Sequence, residues 1–198
     1  VKLGQVLSTR GDLIPVEYIK GLETLQDDVE AVEFEKIEEV IHEEFGQSIA
    51  KTFLTFEPTP LAAASLGQVH KATLPDGREV AVKVQRPGIR ARLADDLDVL
   101  DEVASTLETL TQFAERYRFK GIVDEFRRTL MRELDYRTEA QNLSTLAENL
   151  QEFPQLFVPQ PVEDFTTARV LAMDFVKGRK ITELTDEDRE RIDGPMLA

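Results

Sequence analysis

Lys83 is the residue whose place in the sequence most clearly suggests chemistry. It belongs to the alternating run of residues 80–84, Val-Ala-Val-Lys-Val. The three valines share one face and Ala81 and Lys83 share the other, which is the period of a strand with one buried face. A flat base can rest on Ala81 while the Lys83 ammonium reaches the phosphates beyond it. An ordinary edge hairpin with an exposed lysine is the alternative interpretation of this run.

Acidic side chains that could hold such a lysine occur later in the chain. Glu133, Asp135 and Glu139 fall within a segment predicted as one helix over residues 121–150. Asp135 and Glu139 are four apart and are expected to share a face, while Glu133 points about 120° away from Glu139. A solvated charged surface is the alternative, because the same segment carries four arginines: Arg127, Arg128, Arg132 and Arg137.

Small residues precede the lysine strand at Ala62, Ala63, Ala64 and Ser65. In a protein kinase this place holds a glycine-rich loop over the phosphates, and Val-Ala-Val-Lys is similar to the kinase strand that follows it. Alanine lacks the easy access of glycine to positive φ, so this loop is expected to be stiffer and to cradle phosphates differently. A small-residue turn packed tightly against a helix is the alternative.

A second candidate contact for a base lies near residue 173. A strand that leads through a short extended link to Gly178 can present backbone N–H and C=O groups to an adenine edge, with Met173 guarding the back of the pocket. By itself the same stretch is only a strand end. Asp174-Phe175 does not correspond to the metal-binding Asp-Phe-Gly of kinases, because Val176 follows.

Secondary structure that must position these residues can be predicted from periodicity and turn signals. Asp76-Gly77 between two alternating runs predicts a hairpin. The connection between the two long helices is predicted at residues 119–121. The predicted helices cover residues 1–9, 15–26, 33–45, 48–53, 89–116, 121–150 and 186–192, and the predicted strands cover 67–74, 78–85, 157–165 and 169–175.

Composition excludes several classes of function. The 198 residues are 41% hydrophobic, enough for a core, and include no cysteine and only His42 and His70, so neither a disulfide framework nor a zinc site is expected. The net charge of −14 argues against a nucleic-acid partner. No signal peptide or membrane-spanning apolar run is visible. The chain starts at Val1 rather than at Met, and we expect a fragment of a longer protein.

Four motifs in order resemble the ABC1 family of atypical protein-kinase-like proteins, also called the UbiB or ADCK family. They are Lys2-Leu3-Gly4-Gln5, the alanine-rich loop up to His70, Val80-Ala81-Val82-Lys83, and Glu133-Leu134-Asp135. The resemblance implies an α+β fold, with a small antiparallel sheet and long helices forming a kinase-like N-lobe. It implies a family-specific helical extension over residues 1–56, the N-lobe over 57–178, and the start of a truncated C-lobe over 179–198.

The resemblance also implies roles for single residues. Lys83 would hold the nucleotide phosphates and pair with Glu139. Lys2, Gly4 and Gln5 would fold over the place where a protein kinase binds peptide, meeting Glu133 and Asp135 and blocking protein substrates. The implied nucleotide-binding set is Ala62, Ala63, Ala64, Ser65, Val69, Ala81, Lys83, Met173, Asp174 and Val176.

The implied activity is that of an ATPase or small-molecule kinase that uses ATP or ADP with Mg²⁺ in the synthesis of ubiquinone or related isoprenoid lipids. The expected partners are the nucleotide, quinone-precursor lipids and lipid-biosynthesis proteins. The expected location is the cytoplasm or an organelle matrix, with peripheral membrane contact.

The sequence departs from the kinase pattern at one point. It contains neither the catalytic-loop aspartate nor an Asp-Phe-Gly. We therefore expect the metal ligands beyond residue 198 and no phosphoryl transfer by this chain alone. A pseudokinase-like module that binds lipid or protein under nucleotide control is the second hypothesis, and a helical scaffold without a nucleotide site is the third.

Overall fold

The computed structural model describes residues 30–110 and 119–178 of the chain. The predicted helices over 1–9, 15–26 and 186–192 lie outside these ranges. The helices are α1 (Phe34–Phe45), α2 (Ile49–Thr52), α3 (Ile89–Leu110), α4 (Phe119–Glu133) and α5 (Tyr136–Asn149). The strands are β1 (Thr55–Phe56), β2 (Ala62–Ala63), β3 (Gly67–Thr73), β4 (Glu79–Gln85), β5 (Pro161–Thr166) and β6 (Val170–Asp174).

The strands form one antiparallel sheet in the order β1-β3-β4-β6-β5, with β2 paired to β3. The predicted β3–β4 hairpin is confirmed, and Gly77 in its turn adopts φ 89°, a backbone conformation that favours glycine. Lys83 lies on β4 at the centre of the sheet, directly opposite Val69 on β3 and Leu171 on β6. The lysine is therefore on an interior strand, not on an edge hairpin.

One face of the sheet forms the core. Val80, Val82 and Val84 are at most 1% exposed, as their alternation predicts. Ile37 and Ile41 of helix α1 are fully buried in the same cluster. Helix α1 thus packs on the sheet, and strand β1 belongs to it. Both lie within the predicted extension over residues 1–56, and the boundary of that extension stays a prediction.

The predicted continuous helix over 121–150 is wrong. Helix α4 ends at Glu133, and α5 begins at Tyr136 after an extended Asp135 with φ −108° and ψ 99°. The Asp135 side chain accepts a hydrogen bond from the backbone N–H of Arg137, which caps α5 at its N-terminus. The Leu134 carbonyl accepts a hydrogen bond from the Gln85 side chain instead of continuing the helix.

Three smaller predictions also differ from the structure. Residues 119–121, predicted to connect two helices, form the first turn of α4. Residues 157–160 precede β5 rather than belonging to it, because Pro159 lacks the N–H that a strand would use. The spacing of Leu97, Leu100 and Val103 predicts a core stripe along α3, but Val103 is 51% exposed.

Candidate functional site

Lys83 and Glu139 form an ion pair between the central strand and helix α5. The Lys83 Nζ donates to both carboxylate oxygens of Glu139, at 2.9 Å to Oε1 and 2.6 Å to Oε2. The side chains are 28% and 39% exposed, so both reach solvent at the edge of the site. The pair joins positions 56 residues apart in the sequence, and Glu139 stands in the first turn of the helix that begins after the break at Asp135.

The Tyr136 ring packs against the Lys83 ammonium of this ion pair. Tyr136 stands in the first turn of α5, three residues before Glu139, so the two side chains share a helix face. The Lys83 Nζ lies 4.7 Å from the centre of the Tyr136 ring. This is within the distance of a cation–π interaction, which helps to fix the ammonium in place.

A cavity of about 490 Å³ opens beside the ion pair. This volume is in the range of small-molecule sites. Strand β4 supplies Lys83, the alanine-rich loop supplies one wall, and helices α4 and α5 supply the other. The lining residues are Ala64, Ser65, Leu66, Gly67, Lys83, Thr129, Arg132, Glu133, Asp135, Tyr136, Thr138, Glu139 and Asn142.

Six of the residues predicted for the site line this cavity: Ala64, Ser65, Lys83, Glu133, Asp135 and Glu139. Ala62 and Ala63 form strand β2 and pair with Val69 and Gln68, so this part of the loop is a short strand. Lys2, Gly4 and Gln5 lie outside the described residues, and so does any contact of theirs with Glu133 or Asp135.

The residues predicted to contact the base lie next to the cavity and not in its lining. Val69 pairs with Lys83, and Ala81 pairs with Met173. Opposite residues of antiparallel strands project to the same side, so Val69, Ala81 and Met173 share the Lys83 face. Asp174 accepts a hydrogen bond from the Gln160 backbone N–H at 3.0 Å, and Val176 is 49% exposed beyond the strand.

Asp135 and Glu139 do not lie on one helix face as predicted, because Asp135 is the cap of α5. Arg137 holds the Asp135 carboxylate through Nε at 2.9 Å and Nη2 at 2.7 Å. This hydrogen-bonded guanidinium lowers the pKa of Asp135 below its ordinary value. The predicted angle between Glu133 and Glu139 also fails, since these residues belong to different helices.

Tyr136 and Gly67 were not predicted to belong to the site. A signal for Tyr136 was present, since the ring directly follows a capping aspartate and precedes Glu139 by three residues. Gly67 could not be assigned from sequence because its role depends on packing. A Cβ built there would lie 2.5 Å from the Tyr136 hydroxyl oxygen and 2.6 Å from the Val84 carbonyl oxygen.

A buried polar network lies behind the alanine-rich loop. The Gln68 side chain accepts from the backbone N–H of Val32 at 2.8 Å and donates to its carbonyl at 3.2 Å. Gln68 Nε2 also lies 2.9 Å from His70 Nε2, and His70 Nδ1 lies 2.8 Å from the Glu57 carbonyl. His70, for which the sequence predicts either a surface position or a hydrogen-bonded one, is buried and hydrogen-bonded, and burial lowers its pKa.

Metal-binding clusters and membrane-spanning helices are both absent from the described residues. Residues 30–110 and 119–178 contain no cluster of three or more His, Cys, Asp or Glu residues that could hold a metal ion. Over the same ranges, each helix is too short or too polar to cross a lipid bilayer.

Comparison with known proteins shows what this arrangement is similar to. Residues 24–198 match the model of the ABC1 atypical kinase-like domain. A probable protein kinase UbiB of Cellvibrio japonicus is 39% identical over all of this chain and 36% of its own length. The AarF domain-containing protein kinase 1 of Mus musculus is 37% identical over 98% of this chain and 36% of its own length. The chain thus spans about a third of the length of these relatives.

A solved structure has the same fold. Rv3197 of Mycobacterium tuberculosis, determined in complex with erythromycin, is 34% identical with a TM-score of 0.69. The similarity covers 91% of this chain and 45% of the other.

Proposed function

Because this chain belongs to the ABC1 family of atypical kinase-like proteins and has a kinase-like fold, we propose that the cavity beside Lys83 binds the phosphates of ATP or ADP. The observation that carries the proposal is the contact of Lys83 with both oxygens of Glu139. An ammonium has three N–H donors, and this contact engages two of them. The third is left for a phosphate oxygen in the cavity.

The sheet surface next to the cavity supports a place for the base. Ala81 is small and partly buried, and it lies between Lys71 of β3 and Met173 of β6 on the Lys83 face. A base resting on Ala81 would be flanked by Val69 and Met173. The chain leaves the sheet after Asp174, and in this proposal the backbone as far as Val176 meets the adenine edge, while Ala62, Ala63, Ala64 and Ser65 cover the phosphates.

The described residues do not supply a site for the Mg²⁺ that accompanies nucleotides in kinase-like proteins. Glu139 is engaged by Lys83 and Asp135 by Arg137, and the described residues hold no metal-ligating cluster. We therefore assign no step of the reaction to the metal here.

We propose that the intact protein is an ATPase or small-molecule kinase that supports the synthesis of ubiquinone or a related isoprenoid lipid, as the family resemblance implies. Lys2, Gly4 and Gln5 would close the groove by meeting Glu133 and Asp135, which both line the cavity. Quinone-precursor lipids, lipid-biosynthesis proteins and a membrane surface are the partners that this function requires.

A pseudokinase-like binding module is the second candidate. One observation favours it: the similar protein Rv3197 was solved with erythromycin, which is not a nucleotide. In this alternative, nucleotide binding switches the conformation without turnover.

Two measurements on the intact protein separate these functions. The first is the shift in unfolding temperature on titration with Mg-ATP and Mg-ADP, and the second is ATP hydrolysis. Stabilisation together with hydrolysis that Lys83→Ala abolishes supports the enzyme. Stabilisation without hydrolysis supports the binding module. If neither stabilisation nor hydrolysis is seen, the result supports a helical scaffold and contradicts the proposed nucleotide site.

A further inference from the structure

The Tyr136 hydroxyl is a buried polar group without a hydrogen-bond partner among the described residues. The residue is only 1% exposed, and it is among those that line the cavity beside Lys83. Buried tyrosine hydroxyls usually find a partner, and an unsatisfied one in a native site calls for an explanation. The ring alone would suffice for the contact with Lys83, so the oxygen needs a separate reason.

The hydroxyl lies directly against the exit of the alanine-rich loop. A Cβ on Gly67 would come within 2.5 Å of the Tyr136 oxygen, so only glycine allows the backbone to approach this closely. The turn over residues 64–67 is closed by a hydrogen bond from the Ala64 N–H to the Gly67 carbonyl at 2.8 Å. From outside, the Arg86 Nε donates to the Ala64 carbonyl at 2.9 Å through an exposed contact. The turn therefore covers the hydroxyl without bonding to it.

The surroundings keep this hydroxyl a donor. Burial, together with the nearby Glu139 carboxylate, raises the pKa of Tyr136 above its ordinary range, so the phenol stays protonated at neutral pH. The lysine proposed to hold phosphate lies on the ring of the same side chain. A phosphate oxygen that approaches Lys83 therefore also approaches a proton donor that lacks an acceptor.

We infer that the Tyr136 hydroxyl is a phosphate-binding donor, which donates to a nucleotide phosphate oxygen when the turn over residues 64–67 shifts away from the ring. The inference rests on the proposed nucleotide site and adds a residue to it. Tyr136 would then couple the position of the alanine-rich loop to the Lys83–Glu139 pair, because one side chain touches both. In the ligand-free protein the same hydroxyl is an unsatisfied group that the fold tolerates.

The test is Tyr136→Phe in the intact protein, which keeps the ring and its contact with Lys83. The unfolding temperature without ligand and the dissociation constants for Mg-ADP and adenosine are measured for both proteins. We expect the unfolding temperature to stay the same or rise, because an unpaired buried oxygen is removed. We expect Mg-ADP binding to weaken about tenfold, the loss of one hydrogen bond to a charged acceptor, while adenosine, which lacks phosphate, binds both proteins equally.

Four results would overturn the inference, and each is distinct. Equal Mg-ADP affinity of the two proteins would show that the hydroxyl does not contact phosphate. An equal loss of Mg-ADP and adenosine affinity, or a clear drop in the unfolding temperature of the free variant, would show a structural role instead. Failure of the wild-type protein to bind any nucleotide would contradict the proposed function itself, and with it the inference that depends on it.

Discussion

The side chain of Gln85, at the end of strand β4, donates a hydrogen bond to the backbone carbonyl of Leu134, between helices α4 and α5. The distance from Nε2 to the oxygen is 2.9 Å, and both residues are at most 1% exposed. Gln85 follows Lys83 by two residues, and Leu134 precedes Glu139 by five. This contact therefore joins strand β4, which carries Lys83, to the break between α4 and α5, after which Glu139 follows.

Replacing Gln85 with leucine tests this connection. Gln85→Leu leaves the Leu134 carbonyl buried and unpaired, which should lower the free energy of unfolding by about 1–3 kcal/mol. Gln160→Leu is the matched control, since Gln160 donates to the Val158 carbonyl at a similar 2.9 Å but is exposed. Denaturant unfolding measures both, and equal losses in the two variants would contradict the role of Gln85.

The close packing of Gly67 against Tyr136 predicts a second effect. Gly67→Ala would place a Cβ within 2.6 Å of the Val84 carbonyl as well as against the hydroxyl, and overpacking of this kind costs about 1–3 kcal/mol. Gly178→Ala is the control, because nothing lies within 4 Å of a Cβ at that position. Thermal unfolding should show a loss for the first variant alone. An unchanged unfolding temperature for Gly67→Ala would mean that the loop does not contact Tyr136 closely.

The His70 network predicts a dependence of stability on pH. The Glu57 carbonyl can only accept, so His70 Nδ1 carries the proton and Nε2 accepts from the Gln68 amide. Protonation of His70 Nε2 would place its N–H against the N–H of Gln68 Nε2, so that neither donor would have an acceptor in this contact. Because burial lowers the pKa of His70 in the folded state, its contribution is present above the ordinary value of about 6.5 and is lost as the pH falls below it.

His70→Gln should remove this part of the pH dependence between pH 7.5 and 5.5, measured as the free energy of unfolding by denaturant. His42→Gln, at an exposed histidine, is the control for the substitution itself. A wild-type stability that rises on acidification through this range would have the wrong sign for a buried neutral histidine.

Much of the sheet could be predicted because its signals are local. Val80, Val82 and Val84 alternate with polar or small residues, and Asp76-Gly77 specifies the turn, so the hairpin follows from neighbours in sequence. The α+β fold was predicted from the family resemblance, which the order of the motifs carries. The pairing of Lys83 with Glu139 came from the family resemblance, and the structure brings the two side chains together.

The helix break was missed because its causes are mainly tertiary. Residues 119–149 have a helical pattern. The donor to the Leu134 carbonyl, the Gln85 side chain, and the acceptor for the Tyr136 N–H, the Ala168 carbonyl, both come from distant parts of the chain. Asp135 is a favourable N-cap residue. From the sequence alone, however, a position on the surface of a continuous helix fits it equally well. The contact between Gly67 and Tyr136 was missed for the same reason.

Lys83→Met tests the central claim, that Lys83 holds nucleotide phosphate, most directly. The ion pair with Glu139 is partly exposed and contributes only about 0–1 kcal/mol to folding, so the variant should fold. Lys36→Met is the matched control: Lys36 pairs with Glu33 at 3.1 Å and lies on helix α1, which packs against the opposite, valine face of the sheet.

The measurement is the calorimetric dissociation constant for Mg-ADP in the intact protein. We expect Lys83→Met to weaken binding at least about tenfold, the loss of a charge-assisted contact, and Lys36→Met to bind like the wild type. Equal affinity of Lys83→Met and the wild-type protein would contradict the account.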